Sequence, residues 1–227
     1  RNVFDQSIIC AGNVVSPTMV QELIIHGGVD IVKIQVGPGK SCQTRFVTGV
    51  GYPTLSCIDE CSGVAHGLKS AESKLGLVCS DGGIKTSGDL CKAFAAGSDF
   101  AMLGSMLAGT DECDEAEWVY NKLCSTYGPE PYWTTDAASD AVVLAAKKHS
   151  MKYYGMSTHY AQEKHGEGKK EYRASEGEIL TIPYKGPVEG VIQEVLGGVR
   201  SCCTYIGAHC MKDMSKCAVF VKTNRLK

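Results

Sequence analysis

Leu75-Gly76-Leu77-Val78-Cys79-Ser80-Asp81-Gly82-Gly83, then Ile84 to Gly97, then Asp99-Phe100-Ala101-Met102-Leu103-Gly104-Ser105, is the stretch whose reading decides the fold. Leu75 to Ser80 is apolar almost throughout and reads as a strand buried on both faces, with Asp81-Gly82-Gly83 as the turn that ends it. Ser87 reads as a helix cap, Leu90, Ala93 and Phe94 share a helical face, and Gly97 stops the helix. Asp99 to Leu103 is the next strand, closed by Gly104-Ser105. Strand, helix and strand in about thirty residues form a βαβ unit with parallel strands.

The same rhythm extends towards the N-terminus. Ser7 to Gly12 reads as a strand, and Ser16-Pro17 as an N-cap with a first-turn proline. Met19, Val20, Leu23 and Ile24 follow at helical spacing up to Gly27-Gly28. Asp30 to Val36 is a further strand, a loop rich in Gly and Thr runs from Gly37 to about Pro53, and Ser56 to Leu68 is predicted helical. Residues 110 to 185 break the pattern with charge, Tyr and Trp, and read as a long insertion or flap with a helix near Ala137 to Lys148. Beyond Pro187, Val188, Val191, Ile192, Val195, Leu196 and Val199 form one helical stripe. A short helix (Met211 to Lys216) and a final strand (Ala218 to Lys222) complete the expectation.

The class is therefore α/β. Four consecutive strands end in glycine-rich or polar motifs: Gly12-Asn13, Gly37 to Arg45, Asp81-Gly82-Gly83 and Gly104-Ser105. A (β/α)8 TIM barrel places its active site at those ends, and four strands are half of one. An open doubly wound sheet fits the same alternation.

Of the 227 residues, 44% are hydrophobic and 21% charged, the balance of a soluble globular chain. A net charge of −2 gives no reason to expect nucleic acid or an anionic membrane as a partner. The twelve cysteines lie within apolar runs such as Ile9-Cys10-Ala11 and form no CxxC, so they read as free thiols in a reducing, cytoplasmic setting. No signal-peptide or membrane-spanning pattern is visible. Arg1 stands where an initiator Met would, and a strand begins by Ser7, so the chain reads as a piece of something longer.

Three stretches carry chemistry. In Gly37-Pro38-Gly39-Lys40-Ser41-Cys42-Gln43-Thr44-Arg45, the glycines open backbone geometry to a ligand or cation. Arg45 would favour the thiolate of Cys42, and Thr44 could relay a proton if a carboxylate supports it; a structural cysteine is the competing reading. Asp81-Gly82-Gly83 and Gly104-Ser105 present amides where barrels bind phosphate, or are tight turns and nothing more. Glu171 to Gly177 gathers a cation, hydroxyls and the possible base Glu176 in a loop able to close over a ligand, and competes with a solvated charged loop.

Together with Asp30-Ile31-Val32-Lys33 and Gly155-Met156-Ser157, these motifs resemble, in order and over nearly the whole chain, the IMP dehydrogenase/GMP reductase family. Ala11-Gly12-Asn13-Val14-Val15, Gly49 to Ser56, Tyr172 to Gly177 and Cys203-Thr204-Tyr205-Ile206-Gly207 resemble its reductase branch. The resemblance implies a TIM barrel, of which residues 1–227 supply about the second half as a single catalytic domain, with the N-terminal half-barrel absent and a flap at 110–185. It implies reduction of GMP by NADPH to IMP with release of ammonia, through a thioimidate on Cys42 and a proton supplied by Thr44 and Glu176. Phosphate and ribose would meet Asp81, Gly82, Gly83, Gly104 and Ser105; the purine would meet Gly155, Met156, Ser157, Arg173, Ala174, Ser175, Glu176 and Gly177.

By the same resemblance, NADPH would touch Val36, Gly37, Met156, Tyr172, Arg173, Ser201, Cys202, Cys203 and Thr204, partly across a subunit interface of a homotetramer. A monovalent cation, K+, would sit at Gly37, Gly39, Cys42 and Arg45. This chain departs from the family pattern at Gln35, Lys40, Gln43 and Ser105, where Gly, Ser, Thr and Gly are usual, and carries insertions near Ala71 to Lys74 and across Asp111 to Lys148. The competing functions are IMP dehydrogenase and a truncated, non-catalytic GMP/IMP-binding subunit.

Overall fold

Each of the first three strands is followed by helix before the next strand begins. The computed structural model describes residues 7–69, 75–113, 116–120, 148–166 and 174–223. Strand β1 (Cys10–Val14), helix α1 (Pro17–Ile25), β2 (Ile31–Ile34), α2 (Thr44–Thr48), α3 (Thr54–Gly67), β3 (Leu77–Asp81), α4 (Ser87–Ala95) and β4 (Phe100–Met102) come in that order. The four strands form one parallel sheet in sequence order, with Ile31 opposite Cys10 and Leu77, and Cys79 opposite Phe100. Gly12 is required at the β1–β2 contact, because a Cβ there would collide with the Lys33 carbonyl oxygen.

The helical core follows the predicted periodicities. Val20 and Ile24 of α1, Val32 and Ile34 of β2, Ile58, Cys61 and Ala65 of α3, Val78 of β3 and Leu90 of α4 are buried together. Helix α6 (Val188–Ile206) packs on α4 and contributes Val195 and Val199 to the same core. The opposite face of the sheet carries Lys33, and Phe100 and Met102 remain 45% and 43% exposed. Parallel sheets are normally covered on both faces, so this one has apolar surface suited to further covering. The Ser16 hydroxyl caps α1 as expected, accepting from the Met19 amide at 3.3 Å.

Several expectations change. The cap of α4 is Thr86 rather than Ser87, because Thr86 and Asp89 complete a reciprocal capping box. Helix α3 begins at Thr54, after Pro53, not at Ser56. Helix α2 occupies part of the loop after Gly37. Ala218 to Lys222 is not a strand: Val219 and Val221 are 87% and 82% exposed, and apolar, β-branched sequence makes no strand without a neighbouring edge.

The flap region is also more regular than its composition suggests. Strands β5 (Trp118–Tyr120), β6 (Lys148–Tyr153) and β7 (Leu180–Pro183) form an antiparallel sheet, with helix α5 (His159–His165) after β6. Lys148, expected at the end of a helix, begins β6; residues 137–147 lie outside the described residues. The small sheet has its own core of Met151 and Ile182, packed on Ala108 from the segment after β4. It is thereby tied to the segment that follows β4. The last described elements are a 3-10 turn (Met211–Asp213) and helix α7 (Met214–Cys217). No described helix is long and apolar enough to cross a membrane.

A charge cluster holds α5 against the flap. Glu117 pairs with Lys164 at 2.7 Å and Lys152 at 2.9 Å and accepts the Tyr160 hydroxyl. Lys164 foremost, then Tyr160 and Lys152, pull its carboxyl from 4.5 to about 2. A depressed carboxyl pKa stabilises the fold above the unfolded value and loses that contribution as pH falls through the folded one. The protection factors of the Ala161 to His165 amides, corrected for the intrinsic exchange rate at each pH, are therefore expected to fall between pH 4.5 and 2, ahead of those in β2 and β3. Glu117→Gln should show the same local loosening at pH 7; protection equal to the parent's would count against the cluster's role.

Candidate active site

The C-terminal ends of the parallel strands converge. The Asn13 amide donates to the Gln35 carbonyl at 2.9 Å and to the Asp81 carboxylate at 3.0 Å. Lys33 pairs with the same carboxylate at 2.9 Å, and this bond to Asp81 raises the lysine above its ordinary range. Gln35 is buried with φ of 88°, a strained conformation for a non-glycine residue. Its amide nitrogen, oriented towards the neighbouring acceptors, donates to the Asp81 and Gly82 carbonyls, each at 3.1 Å. Those bonds account for a side chain at a position where the backbone favours glycine.

The β2 and β3 loops form one surface. A Cβ on Gly82 would lie 3.2 Å from the Gly39 nitrogen, and one on Gly83 would lie 3.0 Å from Pro38 Cβ; both glycines have positive φ. Next to them, a Cβ on Gly104 would lie 2.5 Å from the Tyr153 hydroxyl. Burial raises the Tyr153 phenol, and a hydrogen bond with Ser41 opposes that shift. Tyr153 therefore enters from β6 between the Cys42 loop and the turn after β4. Sequence reading missed it; its signal was alternation along β6, where Met151 and Tyr153 share a face towards Ala108. On the outer side of that turn, Lys185 Nζ donates to the Ser105 and Met106 carbonyls, both at 2.8 Å. Loss of water lowers its pKa first, and the like charge of Lys40 second.

Cys42 is held by a short ribbon. It forms a β-bridge with Gly177, flanked by Gln43 N–H donating to the Glu176 carbonyl at 2.7 Å and Glu178 N–H donating to the Ser41 carbonyl at 2.8 Å. Thr44 begins α2. Its Oγ1 is 3.1 Å from Cys42 Sγ and donates to Glu176 Oε2 at 2.7 Å. Thiol, hydroxyl and carboxylate thus form a continuous hydrogen-bonded line. The Glu176 amide donates to the Ser157 carbonyl at 3.3 Å, and a Cβ on Gly177 would lie 2.5 Å from Thr158 Cγ2. The Gly155 to Ser157 turn and the Glu176 loop are therefore in contact, with Cys42 beside them.

Arg45 shapes this loop from below. Its guanidinium donates to the Val36 carbonyl at 2.9 Å and the Tyr52 carbonyl at 2.6 Å, and its stem passes between Gly37 and Gly51. The guanidinium thus organises the loop, and Arg45 could join Gly37, Gly39 and Cys42 around a bound cation only through its backbone carbonyl, which accepts one bond, from Gly49 N–H at 3.2 Å. Among the described residues no three His, Cys, Asp or Glu side chains gather as metal ligands, and the described cysteines are all free thiols.

The remaining candidates fall in several places. Ala174 and Ser175 precede Glu176, with Ser175 Oγ donating to the Gly177 carbonyl at 3.4 Å. Met156 is 70% exposed beside Ser157. Tyr172 and Arg173 lie outside the described residues. Ser201, Cys202, Cys203 and Thr204 stand on the last turns of α6; Cys202 and Cys203 pack against the core, whereas Ser201 and Thr204 are exposed. The described fold thus joins Cys42, Thr44 and Glu176 to the Asp81 and Gly104 turns, and seats the Ser201 stretch on a different helix.

A thiol in line with a hydroxyl and a carboxylate, at the strand ends of a parallel α/β sheet, is an arrangement able to support covalent chemistry at the sulfur. The chain belongs to the IMP dehydrogenase / GMP reductase domain family, which matches residues 1–127 and 132–226. It is 45% identical to a GMP reductase of Phytophthora infestans over 99% of its own length and 53% of that protein's. It is 44% identical to a GMP reductase of Aeromonas hydrophila, covering 98% of this chain and 55% of the relative, and 43% identical to GMP reductase 2 of Mus musculus, covering 99% and 56%. The chain therefore spans about half the length of the curated relatives it matches.

Proposed function

We propose that this chain carries the nucleotide and thiol half of a GMP reductase, which converts GMP, NADPH and a proton to IMP, ammonia and NADP+. The observation that carries the reading is the Cys42–Thr44–Glu176 line, at 3.1 and 2.7 Å. The thiol proton passes through Thr44 to Glu176, and the thiolate adds to purine C2. Glu176 returns that proton through Thr44 to the exocyclic nitrogen, the C2–N bond breaks, and ammonia leaves a thioimidate on Cys42. NADPH, when bound, supplies the hydride that adds at C2 and expels the Cys42 thiolate.

Asp81, Gly82, Gly83, Gly104 and Ser105 would hold ribose and phosphate, with the Tyr153 hydroxyl beside Gly104. Gly155, Met156, Ser157, Arg173, Ala174, Ser175 and Gly177 would surround the purine. Val36, Gly37, Met156, Tyr172, Arg173 and Ser201 to Thr204 would meet NADPH, the last group by reaching a second subunit of a homotetramer. K+ would rest on the carbonyls of Gly37, Gly39, Cys42 and Arg45, the neutral oxygen donors such an ion takes; Gly37 has φ of 76°, and the Gly39 carbonyl keeps one lone pair beyond its bond from Cys42 N–H. Residues 1–227 are read as the second part of a TIM barrel, whose closure would cover the apolar face at Phe100 and Met102, working in the cytoplasm.

Incubating the purified protein with GMP and NADPH should release ammonia in step with NADPH oxidation. Turnover only with IMP and NAD+ would assign the dehydrogenase reaction instead, and GMP binding without ammonia release would leave a binding subunit. Lys40, next to Gly39, which packs against Gly82, would add its charge to phosphate recognition. Lys40→Ala should weaken GMP about tenfold and leave guanosine affinity unchanged, as calorimetry would show; equal losses for both ligands would refute the phosphate role.

A further inference from the structure

Glu176 reaches Thr44 only because two segments far apart in the chain run antiparallel across the site. Their backbone pairing is short: the Cys42–Gly177 bridge and its two flanking bonds. A two-stranded pairing of this length is marginal by itself. A third link spans the same ribbon. Gln43 Nε2 donates to Glu178 Oε2 at 2.9 Å, a bond between residues 135 apart in sequence. The acceptor is a carboxylate, so the bond is charge-assisted and stronger than a neutral pair. Gln43 lies between Cys42 and Thr44, and Glu178 lies two residues beyond Glu176. The two side chains therefore join the strands that carry opposite ends of the thiol–hydroxyl–carboxylate line.

We propose that Gln43 and Glu178 form a clasp of positioning residues that keeps Glu176 closed over Cys42 and Thr44. Neither touches the reacting atoms. Their effect is to shorten the time the ribbon spends open, which keeps the Thr44–Glu176 bond at transfer distance. The clasp rests on reading Thr44 and Glu176 as the proton relay. Its test needs no turnover, so failure of the proposed reaction and failure of the clasp give different results.

The test is alkylation of Cys42 by iodoacetamide in the substrate-free protein, followed by peptide mass spectrometry. Gln43→Ala and Glu178→Ala should each raise the Cys42 rate about fivefold, and the double variant should be no faster than either single one. Glu178→Gln keeps an acceptor oxygen while removing the charge, and should stay within about twofold of the parent. The exposed Cys10 and Cys210 and the buried Cys57 and Cys61 serve as internal references and should not change. An unchanged Cys42 rate, multiplying effects in the double variant, a Glu178→Gln rate equal to that of Glu178→Ala, or Cys57 and Cys61 rising in step with Cys42 would each overturn the clasp.

Discussion

Cys42→Ser is expected to abolish ammonia release, lowering kcat by a factor of about 10⁴ or more, while GMP still binds with near-parental affinity. The reason is chemical rather than steric. Serine differs from cysteine by one atom, and the Ser side chain can still meet Thr44 Oγ1, 3.1 Å from Sγ in the parent. A hydroxyl is a far weaker nucleophile near neutral pH than a thiol with an adjacent proton acceptor, so the bond to purine C2 does not form. Intact-protein mass spectrometry of the parent, quenched during turnover with limiting NADPH, should show the nucleotide adduct; the variant should show none. Rapid ammonia release by Cys42→Ser would remove the covalent mechanism.

Glu176→Gln is expected to cost about 10² to 10⁴ in kcat, the usual range for a general acid–base group. The carboxamide preserves the shape of the side chain and leaves an acceptor for the Thr44 hydroxyl, at 2.7 Å in the parent. It cannot take up the thiol proton or return it to the departing amine. Thr44→Val breaks the same line at its midpoint. If the two residues act as one relay, the double variant should be no slower than the slower single one, because groups that act as a unit are strongly non-additive. Costs that simply multiply would separate Thr44 from Glu176 and overturn the relay. The Cys42 variant loses the adduct, whereas the Glu176 variant accumulates it slowly, so the two experiments probe different bonds.

The local features of this fold were legible in its residues because their causes are local. An apolar run such as Leu77 to Ser80 has one use in a covered parallel sheet, and Ser16-Pro17 starts a helix through its own side chain and fixed φ. Gly82 and Gly83 mark a turn whose positive φ other residues resist. Cys42, Thr44 and Glu176 were identifiable through their resemblance to a family. What the residues left open was decided by partners remote in sequence. Whether Ala218 to Lys222 became a strand depended on a neighbouring edge, which a β-prone segment cannot supply for itself.

The flap is the clearest case. Its pairing of Trp118 with Met151 and of Met151 with Ile182 crosses a long stretch of polar, aromatic sequence with no repeating period, so neither register nor sheet was visible beforehand. From that sheet come Tyr153 beside Gly104, and the course of the chain that brings Glu176 to Thr44 and Glu178 to Gln43. By itself, the sequence determined a parallel α/β unit with a cysteine in a glycine-bounded loop, since backbone preference and hydrophobic period act over a few residues. Only the tertiary structure decided that the thiol stands in line with a hydroxyl and a carboxylate, because hydrogen bonds across 132 residues exist only once two separately folded segments pack together.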